Sequence, residues 1–285
     1  GVTSISKGAF ENCTSLTGIY ITDIAAWCNI MFGDYRDNPL EYAHNLYLNN
    51  ELVTDLIIPD NVTSIGYAAF YNCSSLTSVS IENGVSSIGV YAFAWCRSLT
   101  SIDISDSVTS IGDSAFKYCN SLTNVSIGNG VTSIEHGTFN ECSSLASITI
   151  PDSVRSIGSS AFFNCSSLAN ITIGNGVASI GDWAFHDCSS LTSITIPDGV
   201  ASIERYLFSG CGSLMSITIP DSVRSIGDCA FHDCGSLTSV NIPDSVTSIG
   251  DSAFSGCNKI IKTVNYVSYV DKWVIACDTS VTNAE

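Results

Sequence analysis

The sequence predicts a solenoid, mainly β with short 3₁₀ or helical turns, whose parallel strands stack every 23 residues. Three observations predict it. Phe recurs at Phe70, Phe93, Phe116, Phe139, Phe162, Phe185, Phe208, Phe231 and Phe254 without a slip in spacing. Cys follows each of them three residues later, from Cys73 to Cys257. Between these marks, stretches such as Asn170-Ile171-Thr172-Ile173 alternate polar and apolar residues, the period of a strand with one buried face. A fixed repeat in this range marks stacked units, each hiding its apolar side against its neighbours.

Residues 1–23 form a partial unit, with Phe10, Cys13, Leu16, Ile19 and Ile21 in the expected places. Gly1-Val2-Thr3-Ser4-Ile5 repeats the middle of the unit, as in Gly130-Val131-Thr132-Ser133-Ile134. The sequence is therefore expected to be a fragment, with targeting and anchoring segments outside it. Residues 24–57 are an irregular insertion. Thr22 or Asp23 is placed to N-cap a short helix over Ile24–Cys28. Residues 45–53 read as a hairpin, because Asn49-Asn50 tolerates the left-handed turn conformation. Leu56-Ile57-Ile58-Pro59 re-enters the repeat, and regular units fill 58–264. The solenoid is assigned residues 1–264. Residues 265–285 are a C-terminal cap or the start of a further domain, with strands expected over 266–270 and 272–275.

Within a unit, Leu168 to Ile173 reads as the strand, which Pro151 or Gly174 breaks. Val154 and Ile157 begin a second extended stretch, ended by Gly158. Ala161-Phe162 and Cys165 have the spacing of a 3₁₀ or helical turn. Ile150, Val154, Ile157, Ala161, Phe162, Cys165, Leu168 and Ile171 are the expected core of the coil. The turn after the strand alternates acid and amide at Asp106, Asn129, Asp152, Asn175 and Asp198. That interleaving separates like charges. It fails at Asp198, Asp221 and Asp244, where three acids stack.

Ten of the thirteen cysteines, Cys13 and the run from Cys73 to Cys257, share one repeat position. Such a column offers each Cys two equivalent neighbours and no natural pairing. Free, buried thiols are expected, since Cys packs as a small hydrophobe.

Ten basic residues stand against 27 acidic ones, for a net charge of −17. A nucleic-acid surface needs a basic footprint, and anionic membranes repel this balance. No apolar run reaches the length of about 18 residues that a membrane helix needs.

Chemistry-bearing residues are weak candidates. His186-Asp187-Cys188 and His232-Asp233-Cys234 suggest metal ligands, but the triplets are two coils apart, about 10 Å. They are expected to be exposed turn residues. The columns Asp113, Asp182, Asp228, Asp251 and Asp198, Asp221, Asp244 are expected to be solvated turn acids. No nucleophile elbow or phosphate loop occurs, and no cofactor is expected. The outward strand positions make the best binding face: Asp103, Ser126, Thr149, Thr172, Thr195, Thr218 and Asn241. Ser101, Asn124, Ser147, Asn170, Ser193, Ser216 and Ser239 lie beside them. Tyr91, Trp95, Tyr118 and Trp183, around the Phe-to-Cys turn, form a second patch or pack sideways between coils.

Leu168-xx-Ile171-x-Ile173 fits the strand frame of leucine-rich repeats. The longer pattern Ile-Pro-Asp-Ser-Val-xx-Ile-Gly-xx-Ala-Phe-xx-Cys-x-Ser-Leu-xx-Ile resembles the BspA-like, or Treponema-type, leucine-rich repeats. The irregular segments around Ala26-Trp27-Cys28 and Asp271-Lys272-Trp273-Val274 resemble interruptions in such proteins. The resemblance implies a curved solenoid on a bacterial cell surface or in secretion, adhering to host or neighbouring-cell proteins or glycans. It carries no catalytic residues. The expected function is thus a non-catalytic adhesion module. The alternative is a spacer that projects another domain absent from this sequence.

Overall fold

The computed structural model describes residues 1–264 and 267–277. The chain winds into a parallel β-solenoid of about eleven turns. In each regular coil three segments meet the coils on either side. The first is the strand. Ser147–Ile150 pairs in parallel with Asn170–Ile173, so that Thr149 faces Thr172 and Ile150 faces Ile173. The pleat then sorts the side chains: Ile148 and Ile150 are buried, and Thr149 is exposed. The second segment is a two-residue strand, such as Ser156–Ile157 between Ser133–Ile134 and Ser179–Ile180.

The third segment is the Phe turn. Bonds of the 3₁₀ type occur there at every second residue. Phe163 donates to the Ser160 carbonyl and Cys165 to that of Phe162. The N–H groups between them reach the next coil: Ser160 donates to Asp182, Phe162 to Ala184 and Asn164 to His186. This alternation requires left-handed backbone two residues before and two after Phe. Ser160 has φ 55° and Asn164 φ 53°. Tyr91 and Trp95 repeat the pair, as do Ser114 and Tyr118, and Trp183 and Asp187. A non-glycine residue in that region costs roughly 1–2 kcal/mol. The bonds made between coils offset it.

Nine Phe rings fill the core in a column, all of them buried. Neighbouring ring centroids lie 5.1–5.7 Å apart with planes within 18°. The Cys column runs beside it and is buried from Cys73 to Cys257, as free thiols. Cys13, in the first coil, is exposed.

Proline removes a bond from the strand ladder. Gly174 donates to the Ile150 carbonyl at 2.9 Å. The residues in the same place one coil earlier and one coil later are Pro151 and Pro197, which have no N–H for the Ile127 and Ile173 carbonyls. The ladder breaks at both junctions, between Asn124–Ile127 and Ser147–Ile150 and between Asn170–Ile173 and Ser193–Thr195. The ladder runs on past Pro220 and Pro243, so proline alone does not break it. Val125, Ile127, Ile171 and Ile173, on the strands before the two breaks, are half-buried. This corrects the expectation of a buried Ile171.

The insertion is itself wound into the solenoid. Ile19 pairs with Leu46 and Ser4 with Met31, a coil of 27 residues rather than 23. Asp23 caps the Ile24–Cys28 helix, its carboxylate accepting the Ala26 N–H at 3.1 Å. The insertion has no Phe in register, so its side chains serve the Ala69 carbonyl, which a Phe N–H of the preceding coil would otherwise reach. Trp27 Nε1 donates to the Ala69 carbonyl at 2.8 Å. Asn38 Nδ2, fully buried, donates to Ala68 at 2.8 Å and Ala69 at 3.1 Å. The hairpin forms as expected, with Asn49 at φ 52° and Asn50 at φ 67° joining Leu46–Leu48 to Glu51–Leu52.

Beyond the last coil, Lys262–Val264, Val267–Val270 and Trp273–Cys277 make an antiparallel sheet. The first of these strands was not anticipated, and the other two overlap the expected ones. Val270 is buried against the core, and the Asp271 carboxylate accepts the Ile242 N–H. Tyr266, expected in a strand, and residues 278–285 of the assigned tail lie outside the described residues.

Candidate functional site

All seven residues of the sequence-derived binding face are exposed. Parallel pairing sets them in rows: Asp103 against Ser126, Thr149 against Thr172, and Thr195 against Thr218 and onward to Asn241. Among the described residues none of the seven uses its side chain in a hydrogen bond, so these groups face solvent unengaged. The column just before the strand behaves differently. Thr77, Thr100 and Thr123 each donate a hydroxyl to the carbonyl of the Thr one coil back, at Thr54, Thr77 and Thr100. Those hydroxyls are tied into the scaffold.

A groove of about 1360 Å³ crosses this face from Asp55 to Thr195. It gathers Asp103, Ser126, Thr149, Thr172 and Thr195 of the predicted face, and leaves out Thr218 and Asn241. Its floor includes the half-buried Ile127 and Ile173. At one end Ile57 stands 61% exposed on the Asp55–Ile58 strand. Asp55 accepts the hydroxyls of Ser78 and Thr54, which hold its carboxyl below the usual range.

Sequence reasoning missed an aromatic pair on the outward side of the strands. Tyr20, 63% exposed, stacks on Tyr47 with centroids 4.5 Å apart. Leu52 faces Tyr47 across the hairpin and is also exposed. A signal was present, because Ile19-Tyr20-Ile21 has the same frame as Ile171-Thr172-Ile173. Tyr47 was hidden by the loss of period.

The aromatics of the Phe turn pack sideways between coils. Trp95 lies 4.3 Å from Tyr118, and Trp183 4.0 Å from Tyr206, centroid to centroid. The Arg97 guanidinium lies 4.6 Å from the Trp95 ring centre. A smaller cavity of about 390 Å³ lies beside Trp95, Arg97, Glu41, His44 and the buried Tyr71. His186 departs from the expected exposed turn residue. Its side chain is 16% exposed, packed between Phe163 and Trp183, with Nε2 3.2 Å from Asp187.

Several acids of these columns bind the backbone of the next coil. Asp182 accepts the Arg205 N–H at 3.2 Å, and Asp228 that of Asp251 at 2.9 Å. Asp106 and Asp152 likewise accept the N–H groups of Asn129 and Asn175. Asp244 pairs with Lys272. Among the described residues no three ligating side chains converge as a metal site. No helix is long and apolar enough to cross a membrane among those residues.

The sequence matches the family described as BspA type leucine rich repeat region, in six copies, over residues 1–32, 42–169 and 132–261. No curated protein matches it. Among solved structures, a leucine-rich repeat protein of T. pallidum is 28% identical, with a TM-score of 0.54 over 71% of this chain and 85% of that one. A leucine-rich repeat protein of Bacteroides ovatus is 27% identical, with a TM-score of 0.54 over 91% and 81%. The pneumococcal vaccine antigen PcpA shares the fold at 18% identity, with a TM-score of 0.54 over 91% and 73%.

Proposed function

The chain belongs to the BspA-type leucine-rich repeat family, and from that premise we propose that it is a non-catalytic binding module that contacts proteins or glycans through its exposed strand face. One observation carries the reading. A groove crosses seven coils, and the hydroxyls of Ser126, Thr149, Thr172 and Thr195 along it make no hydrogen bonds among the described residues. Ordered, unengaged polar groups on a rigid sheet can meet a partner without first breaking internal bonds, which lowers the ordering cost of association. Exposed Tyr20, stacked on half-buried Tyr47, adds the kind of anchor that dominates interface energetics.

In this reading the module works outside the cell, on a bacterial surface or in secretion, as adhesion to host or neighbouring-cell components requires. A nucleic-acid partner fits poorly, since the net charge is −17 and the groove lining holds no Lys or Arg. The tail is read as a cap, supported by the burial of Val270 against the last coils. The test is a binding screen of the purified chain against matrix proteins and glycans, repeated with Thr149→Arg and Thr172→Arg. Saturable binding lost in both variants supports the reading. Binding that ignores both substitutions overturns it.

A further inference from the structure

The groove has a sign as well as a shape. We propose that it seats an extended, cation-bearing polypeptide segment of about nine residues, whose Lys or Arg side chains meet Asp55, Asp103 and Asp152. The proposal rests on the binding role given to this face above and names the class of partner.

Charge is the first argument. Three carboxylates line the groove, and no Lys, Arg or His does. The nearby cation, Arg155, turns its guanidinium onto the main-chain carbonyl of Asp152 at 2.8 Å and is not part of the lining. The Asp103 carboxylate is exposed and has no hydrogen-bond partner among the described residues. Asp55 is held in its ionised form by two hydroxyls. Charged groups placed along one path steer and register a partner of opposite sign. A polyanion, whether nucleic acid or acidic glycan, meets repulsion along the same path.

Spacing is the second. Asp55 belongs to the Asp55–Ile58 strand, Asp103 to Ser101–Ile104, and Asp152 follows Ser147–Ile150. Each is two coils from the next, about 10 Å along the axis, and is displaced by two or three residues along the strand, so successive carboxylates stand roughly 12–14 Å apart. Four residues of extended chain cover roughly that distance and bring the side chain back to the same face. The seven strands from Asp55–Ile58 to Ser193–Thr195 span about 29 Å, the reach of about nine extended residues. Long basic side chains also need apolar surface for their stems. Ile57 at one end and half-buried Ile127 and Ile173 along the floor supply it.

The test uses the whole chain and four probes: a nonapeptide with lysine at alternate positions and alanine between, its glutamine and glutamate counterparts, and maltoheptaose as a neutral glycan. Affinity is measured calorimetrically at about 50 and about 200 mM salt. We expect saturable binding of the lysine peptide alone, weakening severalfold at the higher salt. Asp103→Lys should lower that affinity about tenfold or more, with an unchanged circular dichroism spectrum and melting temperature. Equal binding of the glutamine peptide, or an Asp103→Lys variant that binds as before, overturns the proposal. If maltoheptaose or the glutamine peptide binds and Thr149→Arg abolishes it, the basic-segment inference fails while the binding face stands. If Thr149→Arg alters the binding of no probe, both fail.

Discussion

The thiol of Cys165 donates a hydrogen bond to the main-chain carbonyl of Phe139, one coil back, at 3.1 Å. Cys96, Cys119, Cys142, Cys188, Cys211, Cys234 and Cys257 repeat the contact with the Phe 26 positions earlier, at 3.0–3.2 Å. The same carbonyl also accepts the N–H of Cys142 within its own coil. Cys therefore does two things at this position. It fills a small apolar space, and it gives a carbonyl facing the next coil a second, weak donor.

Burial pushes the column thiols from Cys73 to Cys211 up, Cys73 itself to about 11, and Cys28 of the insertion helix to about 12, away from the reactive thiolate. Alkylation of the native protein is therefore expected to label exposed Cys13 and half-exposed Cys229 first, and the column only after unfolding. Mass spectrometry of partially labelled protein checks this. Early labelling of Cys142 or Cys165 would mean that the coils open far more readily than their packing implies.

Phe162 lies between Phe139 and Phe185 with centroids 5.5 and 5.4 Å away. Phe162→Ala should cost about 3–5 kcal/mol, because the rings on both sides cannot close the void. Urea unfolding measures it. A cost below about 1 kcal/mol is incompatible with a fully packed column.

Ser160 sits in left-handed backbone where glycine occupies the equivalent place at Gly137. Ser160→Gly should leave stability unchanged or raise it by up to about 1 kcal/mol, as relief of strain competes with added unfolded-state freedom. Ser160→Val should lower it by more than about 1 kcal/mol, since a branched side chain resists that conformation. If Val is tolerated as well as Gly, the turn geometry is wrong.

Burial against Phe163 and Trp183 pushes the His186 imidazole below its usual range, against the pull of Asp187, and His232 adds in the same direction as burial. The unfolded chain thus binds this proton more readily than the folded one. The stabilisation is full above the unfolded value of about 6.5 and is lost as pH falls through the lower folded value. His186→Gln should flatten the decline in melting temperature between about pH 7 and pH 5. An unchanged slope would assign that decline to other groups.

Much of this molecule was legible from spacing. Phe162 and Cys165 recur because every coil offers them the same buried place, so their period marked both the coil and the outward Thr172 between two isoleucines. The backbone of the Phe turn was not legible. Its left-handed sites hold Ala68, Tyr91, Ser114, Ser160, Trp183 and Cys229, residues with no common preference for that conformation. What they share is a hydrogen bond to the next coil, which a one-dimensional reading does not see. The insertion was opaque for a similar reason. Asn38 looks like a loop residue in sequence, yet it is fully buried, where its amide reaches the Ala69 carbonyl that no Phe of a preceding coil serves, and the Ala68 carbonyl beside it. The effect of Pro151 and Pro197 could have been reasoned out, since the missing N–H is a property of the residue. Their depth in the binding face required the register.

The bonds between coils run in opposite senses in different parts of the coil. Beside the strands, Gly158 donates back to Ile134 and Arg155 back to Thr132, whereas in the Phe turn Phe139 donates forward to Ala161 and Glu141 forward to Phe163. A bared coil end is therefore not a simple strand edge. It offers acceptors along one segment and donors along another, at a fixed separation. A stray β-strand from another molecule can satisfy one segment and must leave the other unpaired. Sheets with open edges invite indiscriminate fibril growth. This one asks whatever covers it for donors along one segment and acceptors along another.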